Sequence, residues 1–154
     1  MSHALTIESV KLIDRNGQSV QTVFEDEDYT IEILTAATRA IKNVSVGYNI
    51  KNPAGTTVCG TSSAVQGFLN IEFEAGQKIA SRFTFRSPLA SGQYFLSVGV
   101  AEMLTPQDEI YNHIMHDFTH DALPFVAVSK NKFSGIVNLR SKLLSMKKIT
   151  PSAS

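Results

Sequence analysis

The chain has 154 residues, of which 43% are hydrophobic and 18% charged, and its 14 basic side chains balance its 14 acidic ones. A chain of this length makes about one domain, which buries roughly two-thirds of its unfolded surface without needing disulfides. Balanced charge leaves no global field to gather phosphate backbones, which excludes a general nucleic-acid binder, and nowhere do about 18 apolar residues run together to span a membrane.

The N-terminus, MSHALTIESV, has no basic stretch leading into an apolar core, so no signal peptide is read there. Residues 1–3 are expected to be a remnant foreign to the natural sequence. In residues 4–14, Leu5 and Ile7 share one parity and Val10 and Leu12 the other, the mark of a strand with a bulge. Arg15, Asn16 and Gly17 form a turn, and Val20 to Phe24 is a short apolar return. The acidic run Glu25, Asp26, Glu27 and Asp28 is expected to be a solvated turn that blunts an edge. Tyr29, Ile31 and Ile33 alternate with polar residues and predict a second long strand, after which residues 35–41 predict a turn or one loose helical segment.

Residues 43–63 (NVSVGYNIKNPAGTTVCGTSS) are the most regular stretch. Val44, Val46, Tyr48 and Ile50 point one way and Ser45, Gly47, Asn49 and Lys51 the other, because successive strand side chains face opposite sides. Asn52, Pro53, Ala54 and Gly55 make the turn into a returning strand. Residues 64–76 form a longer connection anchored by Phe68, Leu69, Ile71 and Phe73, and residues 77–86 recover clean alternation. Residues 93–101 read as a central strand, with Tyr94, Leu96, Val98 and Val100 on one side and Gln93, Phe95, Ser97 and Gly99 on the other. Residues 102–121 are expected to be the longest loop, with Ile110, Ile114 and Phe118 as anchors, before a strand at 122–128 in which Pro124 marks an edge or bulge. The tail, 129–154, is basic, with an apolar centre at 133–139 (FSGIVNL) and a final ITPSAS expected to be disordered.

These elements predict an all-β, immunoglobulin-like antiparallel β-sandwich of about seven to nine strands. Low charge for an independent surface implies that part of it meets a partner. The lone Cys59 cannot form an internal disulfide, which suits a reducing compartment and a cytoplasmic location. As a nucleophile it would need a positioned base, and a small filler is the expected role. His113, His116 and His120, with Asp117 and Asp121, are the one cluster able to ligate a metal. Helical spacing would gather the three imidazoles on one face, but nothing caps a helix there, so a polar loop is expected. No metal, cofactor or catalytic residue is assigned, and no GxSxG, HExxH or Walker motif occurs.

Sandwich topology of this type places strand 44–51 beside strand 93–101, so the outward Ser45, Asn49, Lys51, Gln93, Phe95 and Ser97 form one surface of amides, hydroxyls and a single ring. Such a surface suits a sugar, the ring covering its C–H face and the amides pairing with hydroxyls. Its competing interpretation is an ordinary solvated sheet, or a face covered by the tail. The other function class is a protein-interaction sandwich that takes a peptide at an open sheet edge.

The strand with its N-P-x-G turn, V-C-G-T-S at 58–62, S-G-Q-Y-F-L-S-V-G-V at 91–100 and the closing L-P-F-V strand together resemble a known family. Over residues 5–139 the chain is similar to the C-terminal carbohydrate-binding domain of Wzt, the nucleotide-binding subunit of O-antigen polysaccharide ABC transporters. Gly55, Gly60 with Thr61, Gly92 with Tyr94, and Phe125 with Val126 match family positions, most of them structural. Ser62 and Ser63 stand where Asn-Thr is common, so a side-chain amide is missing.

The resemblance implies a non-catalytic module, residues 4–128, that recognises the finished, often capped, non-reducing end of a lipid-linked polysaccharide before export. It implies a cytoplasmic location, peripheral to the inner membrane, with the transporter's membrane subunit engaged through an ATPase domain that this chain lacks. It further implies a homodimer with an exchanged C-terminal strand, for which residues 133–139 in the tail 129–154 are the candidate. Lys51 and Arg82 would suit an anionic cap.

Overall fold

Period-two alternation sorts the apolar residues of this chain onto one face of each strand, and two such faces close on one another. The computed structural model describes residues 3–104 and 113–149. The expectations for residues 1 and 2, for Ile110 and for most of the terminal ITPSAS fall outside them.

Among the described residues there are eight strands and no helix: β1 (Leu5–Asp14), β2 (Thr22–Phe24), β3 (Asp28–Ala37), β4 (Val44–Lys51), β5 (Thr57–Ser62), β6 (Lys78–Arg86), β7 (Gly92–Met103) and β8 (His113–Val128). One sheet has the order β1-β3-β6 and the other β2-β8-β7-β4-β5. Leu12, Ile31, Ile33 and Phe83 from the first meet Val44, Val46, Leu96 and Val98 from the second in one buried core. The architecture is the all-β sandwich read from the sequence.

Several local expectations hold. β1 carries its bulge between Ile7 and Ser9 in its pairing with β3. Gly55 closes the turn after β4 at φ 83°, its N–H donating to the Asn52 carbonyl.

Others are corrected. Residues 35–37 continue β3 as strand, with Thr35 and Ala37 buried, because that alternation persists past the Thr and Ala residues. Phe68 is exposed, and Phe73 anchors the 63–77 connection through paired backbone bonds with Ile41. The pairing is not wholly antiparallel, since β2 runs parallel to β8 from Thr22↔Val126 to Phe24↔Val128. The chain leaves the first sheet after β1 and crosses to the edge of the second, where Pro124 has β7 alone beside it.

The largest correction concerns residues 102, 103 and 113–121 of the expected loop, whose residues 105–112 lie outside the described ones. β7 runs on to Met103 and β8 begins at His113, so the histidines lie on a strand. An extra residue between the pairs Val100↔Asp117 and Ala101↔Met115 is a bulge. It turns His116 and Asp117 together toward β1. The His116 Nδ1 accepts the Ala4 N–H at 3.2 Å while its Nε2 lies 3.1 Å from Glu102 Oε1, and Asp117 Oδ2 accepts the Ile7 N–H at 2.8 Å. These contacts seal one edge of the sandwich. Because His116 is buried, His116→Ala leaves a backbone donor and a carboxylate without their partner; urea denaturation is expected to show a loss of about 2–3 kcal/mol.

The tail folds back onto its own chain. Leu89 pairs with Val137, the Ala90 N–H donates to the Ile136 carbonyl and the Asn138 N–H to the Pro88 carbonyl, so the stretch 133–139 has a local partner. The clasp is Glu25, buried with its carboxylate accepting the Lys130 N–H, the Ser129 hydroxyl and the Asn138 side-chain amide. The Lys130 backbone bond, followed by the two side-chain bonds, holds the Glu25 carboxyl below its ordinary range. A depressed carboxyl stabilises the docked tail at neutral pH and loses that contribution as pH falls through the depressed value. Glu25→Gln should therefore speed trypsin cleavage at Lys130 and Lys132 several-fold at neutral pH, where the wild-type clasp is intact.

Candidate functional site

The outward face of β4 and β7 forms as the alternation requires. Gly47 pairs with Gly99, Asn49 with Ser97 and Lys51 with Phe95, so the predicted side chains share one face. They do not share one concavity. A groove of about 290 Å³ occupies only part of this face. Ser45, Gly47, Asn49, Gly99, Ala101 and Met103 make its floor; Thr61, Ser62 and Val65 wall one side, and His113, Met115 and Phe118 the other.

Two glycines make this shape. A Cβ at Gly99 would stand 2.9 Å from the Phe118 ring and 3.3 Å from the Met115 sulfur, so those side chains lie directly over its bare backbone. A Cβ at Gly47 would come within 2.8 Å of the Thr61 carbonyl, so β5 curls up close beside β4. The Phe118 ring is held edge-on to His120 at a centroid separation of 4.4 Å. The result is a trough with an apolar wall on β8 and a hydroxyl-bearing wall on β5.

Of the residues nominated from the sequence, Ser45 and Asn49 line the groove. Asn49 Oδ1 is itself buried, without a hydrogen-bond partner among the described residues, so a ligand in the groove reaches it only if the side chain turns. Lys51 and Phe95 face each other four strand positions from Gly99, about 13 Å along β7, and do not line it. Gln93 turns its amide to the Tyr94 and Phe125 carbonyls. Ser97 is completely buried, and its hydroxyl accepts the Asp121 N–H at 2.9 Å. The cause is a second irregularity in β8, where two extra residues fit between Leu96↔Leu123 and Val98↔Thr119 and lie over Ser97. An exposed floor position is thereby converted into an anchor.

Met115 and Phe118 went unrecognised as groove residues because the two bulges in β8 erase the period-two signal around them. Arg82 belongs to the other sheet, where it binds Glu32 at 2.7 Å, so it does not join Lys51. Cys59 is an exposed residue on β5 whose thiol desolvation pushes above its ordinary value, the opposite of an activated nucleophile. Among the described residues no group of three or more potential ligands is placed to hold a metal, and no helix is long and apolar enough to cross a membrane.

With this geometry in hand, comparison with known proteins gives a consistent family. A family model described as the Wzt C-terminal domain matches residues 1–139. Among solved structures the chain is similar to a crystal structure of the C-terminal domain of Wzt, at TM-score 0.84 and 21% identity, covering 94% of this chain and 86% of that one. It is also similar, at TM-score 0.41 and 14% identity, to a β-glucosidase from Listeria innocua in complex with gluconolactone, covering 80% of this chain and 15% of the other. A sequence search among curated proteins finds no match.

Proposed function

Because the chain belongs to the Wzt C-terminal domain family, we propose that it recognises an O-antigen polysaccharide for export by an ABC transporter, binding the non-reducing end without hydrolysing it. The observation that carries this is the groove on the five-stranded sheet, with an aromatic ring and methionine on one wall, hydroxyls on the other and Asn49 at its floor. A sugar needs both kinds of surface together: an apolar one for its C–H face and polar groups for its hydroxyls.

Ser45 and Asn49 act in the groove, while Lys51, Gln93, Phe95 and Ser97 would contact only a chain that extends beyond it or would hold the surrounding sheet. Among the described residues no Lys or Arg lines the groove, which favours a neutral sugar at the recognised end. The domain works at the cytoplasmic face of the transporter, engaging its membrane subunit through an ATPase domain. It acts as a homodimer: the Leu89–Val137 pairing, made in trans, exchanges the C-terminal strand without a new contact. Two weak sites then gain by avidity.

The test is titration of purified O-antigen polysaccharide by calorimetry. Phe118→Ala is expected to weaken binding about threefold to tenfold, the worth of one aromatic contact, in a protein that still unfolds cooperatively in urea. Wild-type protein that binds no member of a polysaccharide panel would overturn the proposal.

Peptide capture at an open sheet edge is the second reading, and one observation favours it. Among the described residues β6 pairs only with β3, and beside it lies a cavity of about 370 Å³ lined by Phe68, Ile71, Ile79 and Phe83. Binding that survives groove substitutions but fails in Phe68→Ala would select it.

A further inference from the structure

The neutral charge of the chain hides a division. All fourteen acidic residues precede Ala122, whereas six of the fourteen basic ones follow it. Beyond the clasp at Glu25 the chain continues through residues 139–149 (LRSKLLSMKKI) without regular structure. Leu139, Leu143, Leu144, Met146 and Ile149 are there 78 to 92% exposed. Arg140 pairs with Asp26, while Lys142, Lys147 and Lys148 have no ion pair among the described residues. The family match ends at residue 139, so nearly all of this stretch lies beyond it.

We propose that residues 139–149 form an in-plane amphipathic helix on an anionic lipid surface. Spacing decides against an added strand: Leu143 and Leu144 are adjacent and would point to opposite faces of a sheet. Leu139, Leu143, Met146 and Ile149 instead recur at i, i+4, i+7 and i+10, one stripe of a helix, with Arg140 and Lys148 off it and Lys147 at its border; Lys142 falls within the stripe, where its long stem lies in the apolar layer and its ammonium reaches the headgroups, and Leu144 lies outside it. An eleven-residue helix is marginal in water, which accounts for the extended chain in isolation. Its start is prepared. Asn138, held to Glu25 by its amide nitrogen, already accepts the Arg140 N–H on Oδ1 at 2.8 Å, the bond an N-cap makes; only Arg140, at φ 56°, has to leave the left-handed region.

Lipid is favoured over the alternatives by chemistry. Nucleic acid would use the cations and leave five large apolar side chains in water. The carboxylates along β6, Glu8, Glu32 and Asp28, are already paired with Lys78, Arg82 and Arg86 and leave a basic tail no free partner there. An anionic bilayer takes the apolar stripe into its interface and the lysines at its headgroups.

The experiment uses the full chain in vesicle sedimentation and circular dichroism. Each lysine near an anionic surface strengthens binding about fivefold, so three give roughly a hundredfold preference for an equal mixture of phosphatidylcholine and phosphatidylglycerol over phosphatidylcholine alone, lost at high salt. Helical signal should rise on binding. Lys142→Gln/Lys147→Gln/Lys148→Gln should bring the mixed vesicles to the neutral level, and Leu143→Ser/Met146→Ser should abolish binding; both change an exposed tail and leave the sandwich melting as before. Equal affinity for the two vesicle types, no vesicle binding, a preference for nucleic acid, or self-association lost in the same variants with no response to lipid would each overturn the proposal.

Discussion

Ser45→Trp is expected to reduce polysaccharide binding by about a hundredfold or more, because a ligand shut out of its concavity loses most of its buried contact area. Ser45 lies opposite Ala101, two register pairs from Gly47–Gly99 and next to it on the same face, and its side chain is half-buried at the groove. Its hydroxyl makes one long bond, accepting the Ala64 N–H at 3.4 Å, so little stability is lost with it. An indole at this position projects into a space of about 290 Å³ and fills much of it. Titration should show no binding to a protein whose urea midpoint is close to wild type. Wild-type affinity in Ser45→Trp would mean that the sugar sits elsewhere, and Phe95, at the far end of the same face, would be the next position to substitute.

Phe73→Ala is expected to cost about 3–5 kcal/mol, the range for deleting a buried aromatic side chain. Phe73 is the largest fully buried side chain of the core, and its backbone N–H and carbonyl both pair with Ile41, which fixes where the 63–77 connection crosses the sandwich. The space it leaves would open into the cavity it already borders beside β6, so collapse of the neighbours cannot close it. For a chain of this length that is a fall in Tm of roughly 10 °C, read from thermal unfolding, with the urea midpoint falling in step. The same connection carries Val65 of the groove wall, so binding should weaken as well. A loss below about 1 kcal/mol would show that Ile71 and Ile79 repack into the vacancy.

How much of the groove could be read in the sequence follows from which signals survive in one dimension. Strict alternation in residues 44–51 and 93–101 placed Ser45 and Asn49 on the outward face, and the sandwich topology put those two strands together. Lys51, Gln93 and Phe95 were on the correct face but not in the groove, because parity fixes a face and says nothing of where it is concave. Ser97 had the parity of an exposed residue and is buried, because a bulge in a neighbouring strand covers it.

The sequence by itself determined the all-β class, the faces of β3, β4 and β7, the bulge of β1 and the turn at Gly55, all of them properties of residues close along the chain. Only the tertiary structure decided that residues 113–121 are strand, that His116 and Asp117 seal the edge against β1, and that Met115 and Phe118 roof Gly99. It also decided that Glu25, one member of an acidic run that reads as solvated, is buried as the clasp of the tail. The physical reason is common to all of these. Each depends on backbone groups more than 90 residues away along the chain, or on the close approach of two strands, and neither leaves a local pattern in the order of the side chains.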